Sequence, residues 1–293
     1  MSDRYAYYPG CSGLGTSKEY DSSTRAVCSA LGLDLVDIPD WSCCGSSPAH
    51  ALDHSLSAAL AARNLELVES QGLDVAITPC PSCLTNLKTS SHRMETEKFR
   101  EKVNLLLDTP YNGTVKSMSV LQVLIEQVGM EAIAARVSRP LKGLRLAPYY
   151  GCIMNRPPEV MEFDDPENPT AMDKILTALG AEVVPFPLKV ECCGASYGVP
   201  RKDIVARLSG KLLSCARDLG ADAMVVACPM CQMNLDLRQE QVGKAMGVQF
   251  SLPVIYITQA IGFALQLPAK NLGLNKLCVD PRPILSRVLA AAS

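Results

Sequence analysis

Ten of the thirteen cysteines in this 293-residue chain form two ordered series of five. The N-terminal series is Cys11, Cys43, Cys44, Cys80 and Cys83, and the C-terminal series is Cys152, Cys192, Cys193, Cys228 and Cys231. Equivalent cysteines are 141 residues apart at the first position, 149 at the adjacent pair and 148 at the last two. One Cys-x-x-Cys arises easily by chance, but two matching series indicate an internal duplication.

The residues around the cysteines repeat as well. Tyr7–Cys11 resembles Tyr149–Cys152, and Leu73–Cys80 resembles Ala221–Cys228. Each closing Cys-Pro-x-Cys runs on into Asn-Leu, at positions 86–87 and 234–235. The duplication therefore extends beyond the thiols.

Short apolar stretches alternate with longer segments of helical periodicity, which is typical of parallel α/β units. The predicted strands include Leu35–Ile38, Val75–Thr78, Leu144–Ala147, Val183–Phe186 and Ala223–Ala227, and the predicted helices include Glu19–Leu31, Leu52–Ser70, Ala171–Leu179 and Ile204–Leu219. We therefore expect two tandem, pseudo-symmetric α/β lobes, residues 1–140 and 141–293, each a parallel sheet with flanking helices. The cysteines would lie at strand ends or in the following turns, where such folds bind ligands.

Two polar segments mark the organisation of the chain. The helical pattern is interrupted at Ser138, Arg139 and Pro140, which places the lobe boundary within Arg136–Leu144. The segment Asn155–Pro169 carries four prolines and is predicted to be a loop that lengthens the second lobe.

Composition limits the function. The 28 basic and 30 acidic residues give a net charge of −2, which argues against nucleic-acid binding because phosphate recognition needs a concentrated basic surface. No secretory signal opens the sequence, and the apolar segment Val254–Leu267 is too short to span a bilayer. We expect a cytoplasmic protein, and in a reducing compartment clustered cysteines more often bind metal or perform redox chemistry than form disulfides.

Five thiols are one more than a tetrahedral zinc site or an ordinary four-iron cluster requires. Adjacent cysteines reach one site only if the backbone bends sharply, and Gly45 and Gly194, which follow the pairs, permit that bend and close approach to a cofactor. Neither series contains a histidine. The pattern favours a larger, irregular iron–sulfur cluster. A structural zinc protein remains an alternative to the two redox functions described below.

The doubled series around Cys-Cys-Gly resembles the CCG domain of heterodisulfide reductase, in its B subunit, from Tyr7 to about Leu267. The resemblance implies two noncubane [4Fe-4S] clusters. One would be held by Cys11, Cys43, Cys44, Cys80 and Cys83, and the other by Cys152, Cys192, Cys193, Cys228 and Cys231. It also implies an oxidoreductase of sulfur metabolism, with a disulfide bound between two clusters that face each other across the lobe interface.

The implied partners are two further subunits of such a complex, one that is ferredoxin-like (the C subunit) and one that binds flavin (the A subunit). They are needed because this sequence contains no ferredoxin motif or dinucleotide fingerprint of its own. The substrate would be a disulfide, a thiol or a sulfur-carrier protein. The alternative is a CCG-type electron-transfer or membrane-docking subunit of a quinone-linked complex that oxidises succinate, glycolate or lactate.

Several other residues have competing interpretations. Cys28, Cys215 and Cys278 have no counterparts and are predicted to be small buried apolar residues. His50 and His54, four apart on a predicted helix, could be ligands or proton donors, although ordinary histidines are favoured. Near the second pair, Lys189, Arg201 and Lys202 could offset cluster charge or receive an anionic substrate, and they could equally form a solvated face. The repeated tyrosines are predicted to pack at strand ends.

Overall fold

The computed structural model describes residues 4–46 and 48–291, and its strands in these residues form two four-stranded sheets. The first sheet contains β1 (Arg4–Tyr7), β2 (Asp34–Asp37), β3 (Val75–Thr78) and β4 (Lys116–Ser119). The second contains β5 (Arg145–Tyr149), β6 (Glu182–Val183), β7 (Ala223–Val226) and β8 (Val254–Tyr256). We call the parts of the chain built on these sheets the N lobe and the C lobe.

The strand orders are β2-β1-β3-β4 and β6-β5-β7-β8, and every pairing is parallel. The two sheets therefore have the same topology, and the predicted duplicated α/β architecture is confirmed. In the N lobe, β2 pairs on one side of β1 and β3 on the other, so the direction of the strand order reverses at β1. In the C lobe the same reversal occurs at β5, between β6 and β7. A switch point therefore lies beside β1 and beside β5. Ligands of open parallel sheets bind at such switch points, outside the carboxyl ends of the strands.

Helices connect and cover the strands. In the N lobe they are α1 (Gly10–Leu14), α2 (Lys18–Ala30), α3 (Pro48–Leu52), α4 (His54–Ser70), α5 (Pro81–Met94), α6 (Glu97–Asn104), α7 (Val120–Val123) and α8 (Met130–Arg136). In the C lobe they are α9 (Pro158–Met161), α10 (Ala171–Ala178), α11 (Lys202–Asp218), α12 (Pro229–Leu235), α13 (Gln239–Met246), α14 (Ile257–Ala264), α15 (Ala269–Leu272) and α16 (Arg282–Ala291). A π-helical turn (Leu124–Val128) separates α7 from α8, and 3-10 turns occur at Ala195–Tyr197 and Leu274–Lys276.

The predicted helix Leu52–Ser70 is confirmed as α4, which begins two residues later, at His54, and is separate from α3. Asp53 has extended backbone, and its Oδ1 accepts hydrogen bonds from the N–H groups of Ser55 at 2.6 Å and Leu56 at 2.9 Å, so it caps a new helix. His50 and His54 consequently lie on different helices, which corrects the single-helix prediction.

Three further segments differ in detail from what the sequence predicted or left open. Strand β6 covers only two residues, although Val184 and Phe186 beyond it are fully buried. The apolar segment 254–267 divides into β8 and α14, because Gln259 accepts a hydrogen bond from the Tyr256 N–H at 2.9 Å and starts the helix. Within 155–169 the predicted loop contains the short helix α9.

Helices of each lobe pack directly against helices of the other lobe at their contact. Helix α14 of the C lobe packs against α2 of the N lobe, where Tyr20 and Tyr256 stack with ring centroids 4.0 Å apart. Ser23 and Thr258 share a buried hydrogen bond of 2.7 Å at the same contact. Helix α10 of the C lobe in turn contacts α7 and α8. One hydrophobic core thus contains residues from both sheets, such as Ile77 and Leu146.

The change of sheet occurs between Ser119 and Arg145. The division at residues 140 and 141 stays a prediction. None of the helices described is long and apolar enough to cross a membrane.

Candidate metal centre at the lobe interface

All ten cysteines of the two series follow the carboxyl ends of strands. In the N lobe, Cys11 follows β1, the Cys43–Cys44 pair follows β2, and Cys80 and Cys83 follow β3. In the C lobe the same positions follow β5, β6 and β7. Because the three strands are neighbours in each sheet, the three loops converge at one edge.

The two series differ in exposure. Cys11 and Cys43 are exposed, whereas their counterparts Cys152 and Cys192 are partly buried. The other three members of each series are buried, and every cysteine in the described residues is a free thiol. Both lobes therefore concentrate free sulfur donors, but only the N lobe presents two of them at the surface.

The buried thiols interact in the same pattern in both lobes. The sulfurs of Cys193 and Cys231 are 3.6 Å apart, and Cys231 also interacts with Cys228. The equivalent Cys83 interacts with Cys44 and Cys80.

These contacts favour the thiolate at particular positions. A hydrogen bond with Cys83 lowers the pKa of Cys44 to about 7, and one with Cys152 lowers the pKa of Cys192 to about 6. The Gly194 N–H also donates to Cys192 Sγ at 3.2 Å. The same hydrogen bonds raise the pKa values of the partner thiols, Cys83 and Cys152, so within each contact the thiolate, the form that binds metals, is favoured at Cys44 and at Cys192.

Matching hydrogen bonds in the two lobes also fix the backbone of each Cys-Cys pair. The hydroxyls of Tyr8 and Tyr149 donate to the carbonyls that precede the pairs, those of Ser42 and Glu191, at 2.7 Å in each case. The tyrosines thus support the cysteine loops in addition to packing at strand ends.

The second carbonyl contact comes from the Asn-Leu repeat. Asn86 Nδ2 donates to the carbonyl of Cys44, and Asn234 Nδ2 donates to that of Cys193 at 3.2 Å. The Asn-Leu repeat is visible in the sequence, but its role as a hydrogen-bond donor to the cysteine loop is not. Asn86 and Asn234 each lie three residues after the last cysteine of their series, and this repeated position could have indicated a shared structural role.

Gly45 and Gly194 have φ values of +77° and +82°, the left-handed conformation that the predicted bend requires. A Cβ at Gly45 would lie 2.6 Å from Leu60 Cδ1, and one at Gly194 would lie 3.1 Å from Val205 Cα. These glycines therefore allow the loop to pack against the following helix. Their predicted cofactor contact stays a prediction.

A second pair of glycines, missed in the sequence analysis, lies against the sulfurs. Gly10 and Gly151 precede the lead cysteines and have φ values of +65° and +80°. A Cβ on Gly10 would be 3.0 Å from Cys83 Sγ, and one on Gly151 would be 3.0 Å from Cys231 Sγ. Any larger residue would crowd these sulfurs, and the repeated Gly-Cys in the sequence could have indicated this close approach.

A cavity of about 330 Å³ lies between the lobes, and we call it the interface cavity. Its C-lobe wall contains all five cysteines of the C-terminal series. Its N-lobe wall is formed by one face of α5, together with Ser46 and His50. Among the described residues that line it, none belongs to the N-terminal series. The cavity therefore brings one series to the interface, whereas the resemblance implied that both would face a shared site.

The cysteine-rich CCG domain matches this sequence twice, over residues 5–88 and 146–236. The chain belongs to the CCG domain family. The two matches cover the first three strands of each sheet and all ten cysteines of the two series, whereas β4 and β8 lie outside them.

Relatives extend the likeness to nearly the whole chain. The 8-methylmenaquinol:fumarate reductase membrane anchor subunit of Wolinella succinogenes is 35% identical over 96% of this chain and 98% of its own length. A protein of Archaeoglobus profundus named as like the B subunit of heterodisulfide reductase is 32% identical over 98% of both chains. This CCG protein is thus a homologue of that heterodisulfide reductase subunit, as the resemblance predicted.

A crystal structure of a hypothetical protein from Helicobacter pylori has the same fold. It aligns with a TM-score of 0.74 at 12% identity over 96% of this chain. The chain spans about half (52%) of that structure's length.

In the CCG lobes, no three Cys, His, Asp or Glu side chains of the described residues form a group that could hold a metal ion by itself. The five sulfurs of the C-terminal series are instead distributed around the interface cavity. The ligand roles of both series stay predictions.

The remaining candidate residues separate into cavity, structural and surface positions. His50 lines the interface cavity, whereas His54 is exposed at the start of α4. Lys189 is buried and forms an ion pair of 2.6 Å with Asp173, so it belongs to neither a solvated face nor a free anion site. Arg201 and Lys202 are exposed, as the solvated-face interpretation predicted.

The three unmatched cysteines also differ. Cys28 is buried as predicted, and burial raises its pKa to about 12. Cys215 is only partly buried. Cys278 is exposed, so the prediction of a buried apolar residue was wrong there. Its backbone N–H donates to Asp236 at 2.7 Å, which holds the segment at the surface of the C lobe.

Proposed function

We propose that this chain is the catalytic iron–sulfur subunit of a heterodisulfide reductase-type complex. It would cleave a disulfide reductively or, in the reverse direction, oxidise thiols or reduced sulfur. The observation that carries the proposal is the interface cavity, where five free thiols on one wall face a helix rich in hydroxyl and amide side chains.

The donor set fits iron–sulfur clusters. Each series supplies five soft sulfur ligands, a number that exceeds the need of one zinc ion. Gly10 and Gly151 keep space beside Cys83 and Cys231, and the lowered pKa values of Cys44 and Cys192 favour coordination. We propose one noncubane [4Fe-4S] cluster per series, with Cys11, Cys43, Cys44, Cys80 and Cys83 on one and Cys152, Cys192, Cys193, Cys228 and Cys231 on the other.

Reductive cleavage converts one disulfide, two electrons and two protons into two thiols. When bound, the clusters would supply single electrons and iron sites for sulfur. The electrons would come from ferredoxin-like and flavin-binding subunits of the same complex. The chain itself provides the enclosed space, the orienting side chains of α5 and the hydrogen bonds that fix the cysteine loops.

A second candidate is supported by the Wolinella relative, whose name describes a membrane anchor subunit of a menaquinol-linked reductase. This chain would then relay electrons from a quinol. The cysteines favour the first candidate, because all five thiols of the C-terminal series line the interface cavity, where a disulfide or thiol could reach them.

The test begins with protein purified or reconstituted without oxygen. We expect about eight irons per chain, with acid-labile sulfide, if two four-iron clusters are bound. Addition of a thiol–disulfide mixture to this protein should generate a substrate-dependent paramagnetic signal. The Cys193→Ala variant should lose the signal and about half of the iron, whereas Cys215→Ala, outside both series, should retain them.

The alternatives give different results. Zinc without iron would reject both redox functions. A signal that responds to menaquinol but to no thiol would support the quinol-linked relay instead. A normal thiol response in Cys193→Ala would reject the assignment of the reaction to the C-terminal series.

A further inference from the structure

The interface cavity contains one permanently charged side chain, that of Arg93. Its described lining residues include no aspartate, glutamate or lysine. Arg93 is partly buried, and within the described residues its guanidinium forms no hydrogen bond or ion pair. An unpaired guanidinium in a recess is available to bind a ligand, because it has five hydrogen-bond donors and a charge that does not titrate away.

Helix α5 places Arg93 on the wall of the interface cavity that faces the C-terminal cysteine series. Ser82, Thr85, Thr89 and Arg93 recur at intervals of three and four residues and all line the interface cavity, so they form one stripe along the helix. The stripe spans about 16 Å along the helix axis from Ser82 to Arg93. Helical side chains lean toward the N-terminus, which brings the guanidinium back toward Thr85. The Thr85 hydroxyl lies 3.4 Å from the carbonyl oxygen of Ile153, the residue that follows Cys152 of the C-terminal series.

The acidic group nearest in sequence faces elsewhere. Glu95 lies 3.5 Å from His92, and both line a separate surface groove beside Lys88. Arg93 is therefore not neutralised by its own helix. Along the stripe, the Thr85 hydroxyl donates to the Pro81 carbonyl at 2.9 Å.

We propose that Arg93 binds an oxyanion carried by the thiol or disulfide substrate. The substrate would extend along α5, with its sulfur at the C-terminal cysteine series and its carboxylate, sulfonate or phosphate at Arg93. Arginine binds such groups through two parallel hydrogen bonds, which orients the ligand as well as attracting it. The inference rests on the proposed function and specifies its substrate class.

The test compares binding of matched thiols to the cluster-loaded protein. The probes are ω-mercaptohexanoate, its neutral amide and the corresponding phosphonate, and the dissociation constants are measured by anaerobic calorimetry. We expect the anions to bind about tenfold to a hundredfold more tightly than the amide. Whichever of carboxylate and phosphonate binds more tightly identifies the preferred oxyanion.

Two variants locate the effect. Arg93→Gln should bind acid and amide equally and leave the affinity for the amide unchanged. Arg100 is also partly buried, lies outside the lining of the interface cavity, and its guanidinium forms no hydrogen bond or ion pair within the described residues, so Arg100→Gln should keep the anion preference. Arg93→Lys should restore part of the preference, because the charge returns without the paired donors.

The outcomes separate this inference from the proposed function. Equal binding of acid and amide to the unaltered protein, or an unchanged preference in Arg93→Gln, would overturn the role of Arg93 while the thiol chemistry stands. If none of the three thiols binds or changes the cluster spectrum, the proposed function fails, and the substrate class inferred from it fails as well.

Discussion

At the scale of single residues, Gly151 and Gly143 offer a matched comparison. Both have φ of +80°, but a Cβ on Gly151 would lie 3.0 Å from Cys231 Sγ, whereas one on Gly143 would meet nothing within 4 Å. Alanine should strain the backbone equally at both positions, by about 1 kcal/mol. Only Gly151→Ala should also displace a sulfur.

We therefore expect Gly151→Ala to lose at least as much free energy of unfolding as Gly143→Ala, measured with urea on metal-free protein, because only its Cβ crowds a sulfur. After anaerobic reconstitution, Gly151→Ala should lose up to about half of the bound iron, the share of one of two equal clusters. Gly143→Ala should bind the normal amount. Normal iron in Gly151→Ala would show that the close approach does not constrain the site.

The sequence located the cysteine sites because their neighbours repeat, but it did not reveal how each loop is held. The carbonyls of Cys44 and Cys193 accept hydrogen bonds from Asn86 and Asn234, which lie on the helices that begin directly after Cys80 and Cys228. A repeated Asn-Leu indicates shared structure. The hydrogen-bond partner of the asparagine side chain depends on how the cysteine loop folds back onto the helix, which spacing alone does not determine.

At the scale of elements, the packing of α14 onto α2 joins the lobes. Tyr20 and Tyr256 stack across this contact with an interplanar angle of 5°, and both rings are buried. We predict that Tyr20→Leu and Tyr256→Leu are coupled by about 0.5–1.5 kcal/mol in a double-mutant cycle, because each variant removes the other ring's stacking partner.

The cycle is measured by urea unfolding of metal-free protein under reducing conditions. Tyr20→Leu combined with Tyr111→Leu provides the comparison, since Tyr111 belongs to a separate core and its effect should add to that of Tyr20 within about 0.5 kcal/mol. Additive effects for Tyr20 and Tyr256 would mean that their stacking contributes nothing to the contact between the lobes.

Elements with strong periodicity were predicted well, and elements without an apolar run were not. Helices α2, α10 and α11 agree with their predicted extents to within two residues at either end. Strand β4 has the sequence Lys-Ser-Met-Ser and no apolar run, yet three of its four residues are buried because it pairs with β3. Its burial comes from tertiary packing, which local pattern cannot supply.

At the scale of the whole molecule, the two repeats are identical in sheet topology but not in surroundings. The C-terminal cysteines enclose a cavity against α5, whereas Cys11 and Cys43 of the N lobe are exposed. The sequence predicted two equivalent sites, because each repeat contains its full set of five cysteines. Which site is enclosed depends on how the lobes pack, and so could not be predicted from either repeat.

This asymmetry predicts the order in which the proposed clusters are lost. A chelator should remove iron from the N-terminal site first, because it can approach iron beside two exposed ligands, while the C-terminal ligands are partly or fully buried. Pulsed alkylation followed by mass spectrometry measures the order. Cys11 and Cys43 should be labelled before Cys152 and Cys192.

Two cysteines outside the series calibrate that experiment. Cys278 is exposed and should be labelled from the start, whether or not iron is present. Cys28 should stay unlabelled until the protein unfolds, because it is buried with a pKa of about 12 and the thiolate is the reactive form. If Cys152 and Cys192 were labelled first, the enclosed site would be the more labile one, and exposure of the ligands would not control cluster loss. If all ten cysteines were labelled together while Cys28 stayed protected, the two clusters would be lost in one step, and the lobes would have to open as a unit.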